Sequence, residues 1–135
     1  MRRRIGYVAH RAQAYRGLTA AENLRLFARL HGLGPEAVAP ALERVGLADR
    51  ADERLEAFSR GMVQRLSIAR ALLHGPDLLL LDEAATGLDR DGRSLLDGVI
   101  AEGRGRVTTI FSTHDDDATR SLADRVLTLR DGTPV

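Results

Sequence analysis

Residues 78–89, LLLLDEAATGLD, decide the fold. Four consecutive leucines that run into Asp82-Glu83 do not alternate between apolar and polar residues, as a half-solvated strand would. A short apolar run preceded by Gly75-Pro76 is typical of a strand buried on both faces, in a parallel sheet covered by helices. Such a strand ends at the carboxyl edge of the sheet, where α/β proteins bind ligands. The two carboxylates are therefore candidates for binding Mg²⁺ and activating water in phosphoryl transfer. A buried strand followed by an acidic helix cap is the alternative.

Composition limits the function classes. A chain of 135 residues is long enough for one domain with its own core, and its formal net charge of +1 makes no electrostatic case for nucleic acid. All 20 basic residues are Arg, with no Lys, and there is no Cys for disulfides or thiolate metal sites. The opening MRRRIGYVAH lacks the apolar core of a signal peptide, and no run approaches the ~18 apolar residues of a membrane helix. We expect a chain that is soluble by itself.

Helix and strand signals alternate along the second half, which favours an α/β fold with a mostly parallel sheet. Thr19 and Glu22 form a capping box, Pro40 predicts a weak first turn in its helix, and Asp131-Gly132 predicts a hairpin turn. The predicted strands are 4–9, 78–82, 107–112 and 125–129, with a return strand beginning at 133. The predicted helices are 19–31, 34–46, a short link within 48–58, 59–75, 91–102 and 116–123.

Five features in a fixed order resemble the ATPase subunit of ATP-binding cassette (ABC) transporters. They are a strand and loop with His10, the helix start Ser59-Arg60-Gly61, Asp82-Glu83, Gly87-Leu88-Asp89, and His114. The stretch FSRGMVQRLSIARALLHGPDLLLLDEAATGLD resembles the signature helix, Walker B strand and D-loop of that family in unbroken register. The resemblance covers nearly the whole chain. It implies a P-loop NTPase fold, with ATP and Mg²⁺ as cofactors.

The resemblance assigns a role to each motif. Asp82 is expected to hold Mg²⁺ through water, and Glu83 to act as the general base for the attacking water. His114 resembles the switch histidine that contacts the γ-phosphate. Ser59 and Gly61 begin a helix whose free N–H groups suit phosphate, and in the family this surface clamps the ATP of the opposite subunit.

Two further positions belong to the expected nucleotide site. Asp89 resembles the D-loop residue that links the two sites of a dimer, and His10 occupies the Q-loop position, where Gln is usual. Histidine there, followed by LTAAENL, is similar to the haem-exporter (cytochrome c maturation) branch. Arg60, Met62 and Ala84 also depart from the usual signature and Walker B residues, but none of these changes removes a phosphate-facing group.

The phosphate loop is the largest departure. It reads GxxxxGK[ST], and a chain without Lys has none. We therefore interpret residues 1–135 as one partial ABC ATPase domain, the carboxyl-terminal portion of a subunit. It has a helical subdomain at about 19–74 and a Walker B and switch core at about 76–135. Such a chain is expected to be inactive alone.

The implied partners are a second ATPase subunit and transmembrane permease subunits, at the cytoplasmic face of the cell membrane. Two other interpretations remain open. One is the carboxyl lobe of a bipartite chromosome- or repair-type ATPase, which apolar heptads before the signature would favour, and none are visible. The other is a non-catalytic interaction or regulatory module, which the missing phosphate loop favours and ATP turnover by the chain alone would exclude.

Overall fold

Three parallel strands form the sheet around which the chain folds, in a computed structural model that describes residues 4–114, 117 and 121–135. The strands are β1 (Ile5–Val8), β2 (Leu78–Asp82) and β3 (Thr108–Ser112), in the spatial order β1-β2-β3. Both pairings are parallel, so the three carboxyl ends lie at one edge of the sheet. That edge carries the acidic pair at the end of β2, as predicted.

Helices connect these strands, and the predicted α/β class with a parallel sheet is confirmed. The described helices are α1 (Ala20–Leu30), α2 (Val38–Arg44), α3 (Arg60–Leu72) and α4 (Arg90–Gly103). Single 3₁₀ turns at Pro35–Ala37, Ala48–Arg50 and Leu55–Ala57 join α1, α2 and α3. The apolar residues of α1, α2 and α3 share one buried cluster with those of the sheet and α4.

Helix starts follow the capping residues that the sequence indicates. In α1, the Thr19 hydroxyl accepts from the Glu22 N–H and the Glu22 carboxylate accepts from the Thr19 N–H, so the predicted capping box is present. The Ser59 hydroxyl caps α3 in the same manner by accepting from the Met62 N–H. Pro35 stands in a 3₁₀ turn that precedes α2, which is the broken first turn expected of this proline-containing helix.

One face of the sheet is buried and the other is half open. Val8, Leu79 and Leu81 are at most 3% exposed, whereas Tyr7 and Ile110 are 45% and 59% exposed. The expectation that β2 is buried on both faces is therefore wrong for its second face, where Leu78 and Leu80 are only partly buried. Burial alternates from residue to residue along β2 because helix packing excludes water from one side of the sheet only.

The carboxyl-terminal residues form a small separate hairpin. Leu129–Arg130 (β4) pairs antiparallel with Thr133–Pro134 (β5), and the turn residues Asp131 and Gly132 both have positive φ, 50° and 76°. This is the geometry of a type I′ turn, so the predicted hairpin is confirmed. The strand predicted at 125–129 is shorter and begins only at Leu129. The helix predicted at 116–123 lies largely outside the described residues.

The remaining predicted boundaries agree closely. The first strand and β3 each begin one residue later than predicted, and α4 extends from Arg90 to Gly103 behind the cap Asp89. In the part of the chain that the structure describes, no helix is long and apolar enough to cross a bilayer.

Candidate functional site

Asp82 and Glu83 end β2 at the carboxyl edge of the sheet and are bridged by a residue of the neighbouring strand. Ser112 of β3 is the register partner of Asp82, and its hydroxyl donates to Asp82 Oδ1 at 2.9 Å. The same hydroxyl oxygen accepts from the Glu83 N–H at 2.9 Å. One side chain therefore contacts both members of the acidic pair.

Glu83 lies between two imidazoles. Its Oε1 is 2.8 Å from His114 Nε2, and its Oε2 is 3.1 Å from His10 Nδ1. The side chains of His10 and His114 are 42% and 90% exposed, and that of Glu83 is 31% exposed. Each carboxylate oxygen thus has an imidazole nitrogen within 3.1 Å, and solvent still reaches the side chain, so Glu83 is accessible to a water molecule from which it could take a proton.

The backbone at Glu83 departs from ordinary conformation. Its φ is +47°, in the left-handed region that residues other than Gly and Asn adopt rarely. The strand therefore ends sharply at this residue, and the side chain turns toward the loops that follow β1 and β3. A conformation of this kind costs on the order of 1–3 kcal/mol and is commonly found at functional sites.

Gln64 connects the loop after β1 to the loop after β2 through hydrogen bonds. This buried residue of α3 donates to the Ala84 carbonyl at 3.0 Å and to the Ala9 carbonyl at 3.4 Å. Ala84 and Ala9 directly adjoin Glu83 and His10, so one amide fixes the spacing between the two loops. Sequence reasoning missed both Gln64 and Ser112. The available signal for Gln64 was a polar residue at helical spacing from Ile68 and Ala71, on the buried side of α3.

Glu83 lines a cleft of about 560 Å³. Its lining consists of Glu83, Ala85, Thr86, Arg93, Ser112, Thr113, His114 and Asp117. Hydroxyl, imidazole and guanidinium groups on this lining are suitable partners for phosphate oxygens. The cleft can therefore admit a polar group next to Glu83.

The described residues contain no cluster of three or more His, Cys, Asp or Glu side chains that could hold a metal ion. Mg²⁺ in nucleotide sites is usually bound by one or two carboxylates, its other ligands being water and phosphate oxygens. Ser112 engages one of the two Asp82 oxygens, and the side chain is exposed. Asp82 could therefore supply one carboxylate to Mg²⁺, with water and phosphate oxygens as the other ligands.

Ser59 and Gly61 form a second group at the start of α3. The Ser59 side chain is exposed and serves as the helix cap. A Cβ at Gly61 would lie 3.1 Å from the Gly87 carbonyl oxygen and 3.9 Å from the Asp89 nitrogen, so the glycine permits close approach of the 83–89 loop. The structure brings the helix start and this loop together.

Asp89 stands at the far end of the same loop. Its Oδ1 accepts from the Gly92 N–H at 2.8 Å and caps α4. The site residues predicted from the sequence thus fall into two groups: Asp82, Glu83, His10 and His114 at the sheet edge, and Ser59, Gly61 and Asp89 around the start of α3. Residues 83–89 connect the two groups.

Comparison with known proteins identifies relatives along most of the chain. The family described as "ABC transporter" matches residues 1–86. The ABC transporter ATP-binding protein NatA of Bacillus subtilis (strain 168) is 37% identical over 87% of the chain and 50% of its own length. The fluoroquinolones export ATP-binding protein MT2762 of Mycobacterium tuberculosis (strain CDC 1551 / Oshkosh) is 39% identical over 96% of the chain and 43% of its own. The chain spans about half the length of these curated relatives.

Solved structures agree with the sequence relatives. The dimeric structure of a post-hydrolysis state of the ATP-binding cassette MJ0796 bound to ADP and Pi superposes with a TM-score of 0.88 at 27% identity. The match covers 97% of this chain and 61% of that one. The predicted fold, part of an ABC ATPase domain, is thereby confirmed.

Proposed function

Because the chain belongs to the ABC transporter ATP-binding family, we propose that it forms the Walker B and switch side of an ATP site in an export transporter. The observation that carries this proposal is the position of Glu83 at the carboxyl edge of the sheet, 2.8 Å from His114. Asp82 would bind Mg²⁺ through water, and the ion would supply charge neutralisation for the phosphates. Glu83 would take the proton of the attacking water. His114 would orient the Glu83 carboxylate and contact the γ-phosphate.

We propose that Ser59 and Gly61 act across a dimer interface. The exposed start of α3 presents backbone N–H groups and the positive end of a helix dipole, which suit the phosphates of a nucleotide. The solved relative is described as a dimer with ADP and Pi, and this supports a second ATPase subunit as partner. Asp89, close to Gly61, would couple the two nucleotide sites through the loop 83–89, and His10 would contact the nucleotide site from the loop after β1.

The remaining proposed partners are membrane permease subunits. The names of relatives that contain the words "ATP-binding protein" and "export" support attachment to a transporter, and we place the chain on the cytoplasmic face of the cell membrane. The family assignment favours this function over the bipartite repair-type ATPase. A net charge of +1 supports the absence of nucleic acid among the partners.

Export of haem for cytochrome c maturation is a second, narrower candidate. His10 in the Q-loop position and the LTAAENL sequence that follows favour it, whereas the relatives reported above carry names of drug export or no substrate name. Restoration of cytochrome c haem attachment, by a chimera that carries a GxxxxGK[ST] phosphate-loop segment before Met1, in a bacterium that lacks its own haem-exporter ATPase would support this candidate. Restoration of drug resistance alone would exclude it.

The catalytic assignment is tested in a chimera that carries a GxxxxGK[ST] phosphate-loop segment before Met1. Glu83→Gln keeps the shape of the side chain but removes the base, so ATP hydrolysis should fall by ~10²–10⁴-fold while ATP stays bound. The ATP-loaded variant should elute as a dimer in size-exclusion chromatography. Glu43→Gln, an exposed change in α2, is the matched control and should hydrolyse ATP at the parent rate.

Two results would contradict the assignment. Hydrolysis by Glu83→Gln at the parent rate would remove Glu83 from the role of base. An ATP-bound variant that stays monomeric would instead remove Ser59 and Gly61 from the role of clamp across the interface. A chimera that does not turn over ATP, and whose Glu83→Gln variant does not dimerise with ATP, would favour the non-catalytic interaction module.

A further inference from the structure

The Ser112 hydroxyl has both of its hydrogen-bonding functions committed to the acidic pair. It donates its one proton to Asp82 Oδ1 and accepts from the Glu83 N–H, each at 2.9 Å. A serine hydroxyl has one proton to give and two lone pairs to accept with, so this geometry fixes which group is donor and which is acceptor. The side chain of one residue is therefore bonded to the carboxylate of Asp82 and to the backbone of the residue that follows it.

The Glu83 backbone needs support at this position. Its φ of +47° is unfavourable for a side chain with a Cβ, and such conformations persist only where surrounding contacts determine them. The Glu83 N–H is bonded to the Ser112 side chain instead of to a main-chain carbonyl of the sheet. Loss of the hydroxyl would leave this N–H without its partner and allow the backbone to relax toward an ordinary conformation.

Relaxation at Glu83 would move its carboxylate. The two oxygens reach His114 and His10 on opposite sides, at 2.8 Å and 3.1 Å, and both contacts depend on the direction in which the left-handed backbone projects the side chain. Strand packing gives no reason for a serine at 112, because an exposed strand position favours threonine or valine. The hydroxyl is the feature of Ser112 that contributes to the site.

We propose that Ser112 is a positioning residue that holds Glu83 in its strained conformation and sets the distance between Glu83 and the carboxylate of Asp82. The catalytic consequence of this role rests on the proposed function, because Glu83 is the proposed base and Asp82 the proposed metal ligand of that reaction. Ser112 acts through the two carboxylates.

The experiment compares Ser112→Thr with Ser112→Val in the present chain. The two side chains have nearly the same shape, but only threonine keeps the hydroxyl. In Ser112→Val, the Glu83 amide should exchange with solvent deuterium about tenfold faster, as expected for the loss of a single hydrogen bond. Ser112→Thr should keep the parent rate, and the Leu81 amide inside β2 should exchange alike in all three chains.

A second readout separates positioning of the side chain from simple support of the strand. The ring-nitrogen NMR resonances of His10 and His114 should shift in Ser112→Val, because both imidazoles lose the Glu83 carboxylate, and should return to parent positions in Ser112→Thr. Those of His31 and His74, which lie outside the site, should not move. Ser112→Ala should behave as Ser112→Val does and replaces it if the valine chain fails to fold.

Equal Glu83 exchange in the threonine and valine chains would overturn the proposal. So would unshifted His10 and His114 resonances in the valine chain, since Ser112 would then support only the strand. Neither measurement requires ATP. The Glu83→Gln chimera tests whether Glu83 is the base, and the Ser112 variants test whether Ser112 positions Glu83. Failure of one hypothesis is therefore distinguishable from failure of the other.

Discussion

His31 and His74 stack face to face where the end of α1 meets the end of α3. Their ring centroids are 3.8 Å apart and their planes differ by 2°. One helical turn earlier on each helix, the Arg70 guanidinium lies 4.7 Å from the centre of the Phe27 ring. The two contacts join α1 to α3 side by side. Burial lowers the pKa of His74, the neighbouring His31 lowers it further, and a hydrogen bond to the Ile5 carbonyl raises it in part.

This depressed pKa predicts a loss of stability in acid. The unfolded imidazole titrates near its ordinary value of 6.5, above the folded-state pKa, so the unfolded chain binds more protons between the two values. The contribution of His74 to stability is therefore fully present above pH 6.5 and falls as the pH drops toward the folded-state pKa. His74→Phe keeps a ring against His31 but does not titrate. Its urea unfolding midpoint should depend less on pH between about 7 and 5 than that of the parent. An unchanged pH dependence would show that His74 is not responsible.

At the scale of elements, the α1 capping box is a local device with a measurable contribution. Thr19→Ala removes the acceptor for the Glu22 N–H and should lower the free energy of unfolding by about 0.5–2 kcal/mol. Thr128→Ala makes the same chemical change at an exposed position outside helices and strands, and should change stability little. Urea unfolding of the three chains measures both effects. If the two variants lost equal free energy of unfolding, the effect would come from replacing threonine with alanine in general and not from the helix cap.

The sequence was sufficient to predict these elements because their signals are local. The capping residues Thr19 and Ser59, the Asp131-Gly132 turn and the leucine run of β2 each act within a few residues. Contacts across the chain could not be derived in this way. Ser112 meets Asp82 only because β2 and β3 pair in one register, and Gln64 reaches Ala84 and Ala9 only when α3 lies below both loops.

Dependence on contacts across the chain also explains why the prediction that β2 is buried on both faces was wrong. A run of leucines shows that a strand is apolar, but the burial of each face depends on which elements pack there. The sequence predicted the roles of Glu83 and His114 through the order of motifs. Their distance, and the partnership of His10 with the same carboxylate, required the folded chain.

At the scale of the whole molecule, an apolar row crosses the half-open sheet face. Tyr7, Leu80 and Ile110 are partners in register and stand side by side on that face. Ile110 belongs to β3, which is an edge strand of the three-stranded sheet. Exposed apolar edges and faces favour association or lower stability.

The chain is therefore expected to self-associate as its concentration rises, or to have a lower thermal unfolding midpoint than ordinary domains. Ile110→Thr should reduce the self-association measured by analytical ultracentrifugation, because it removes an exposed apolar side chain from the β3 end of the row. Leu30→Thr, the same kind of change on exposed α1 surface, is the control and should leave association unchanged. A chain that stays monomeric and unfolds cooperatively above ~65 °C, the upper end of ordinary mesophilic domains, would contradict this expectation.

We infer that this chain contributes the carboxylate side of an ATP site and that its nucleotide affinity depends on a phosphate loop. Titration calorimetry with Mg-ATP, on the present chain and on the chimera that carries GxxxxGK[ST] before Met1, tests the claim most directly. The chain alone should bind weakly or not at all, because it has no Lys and no loop of backbone amides for the β- and γ-phosphates. The chimera should bind tightly. Micromolar affinity or ATP hydrolysis by the chain alone would contradict the account.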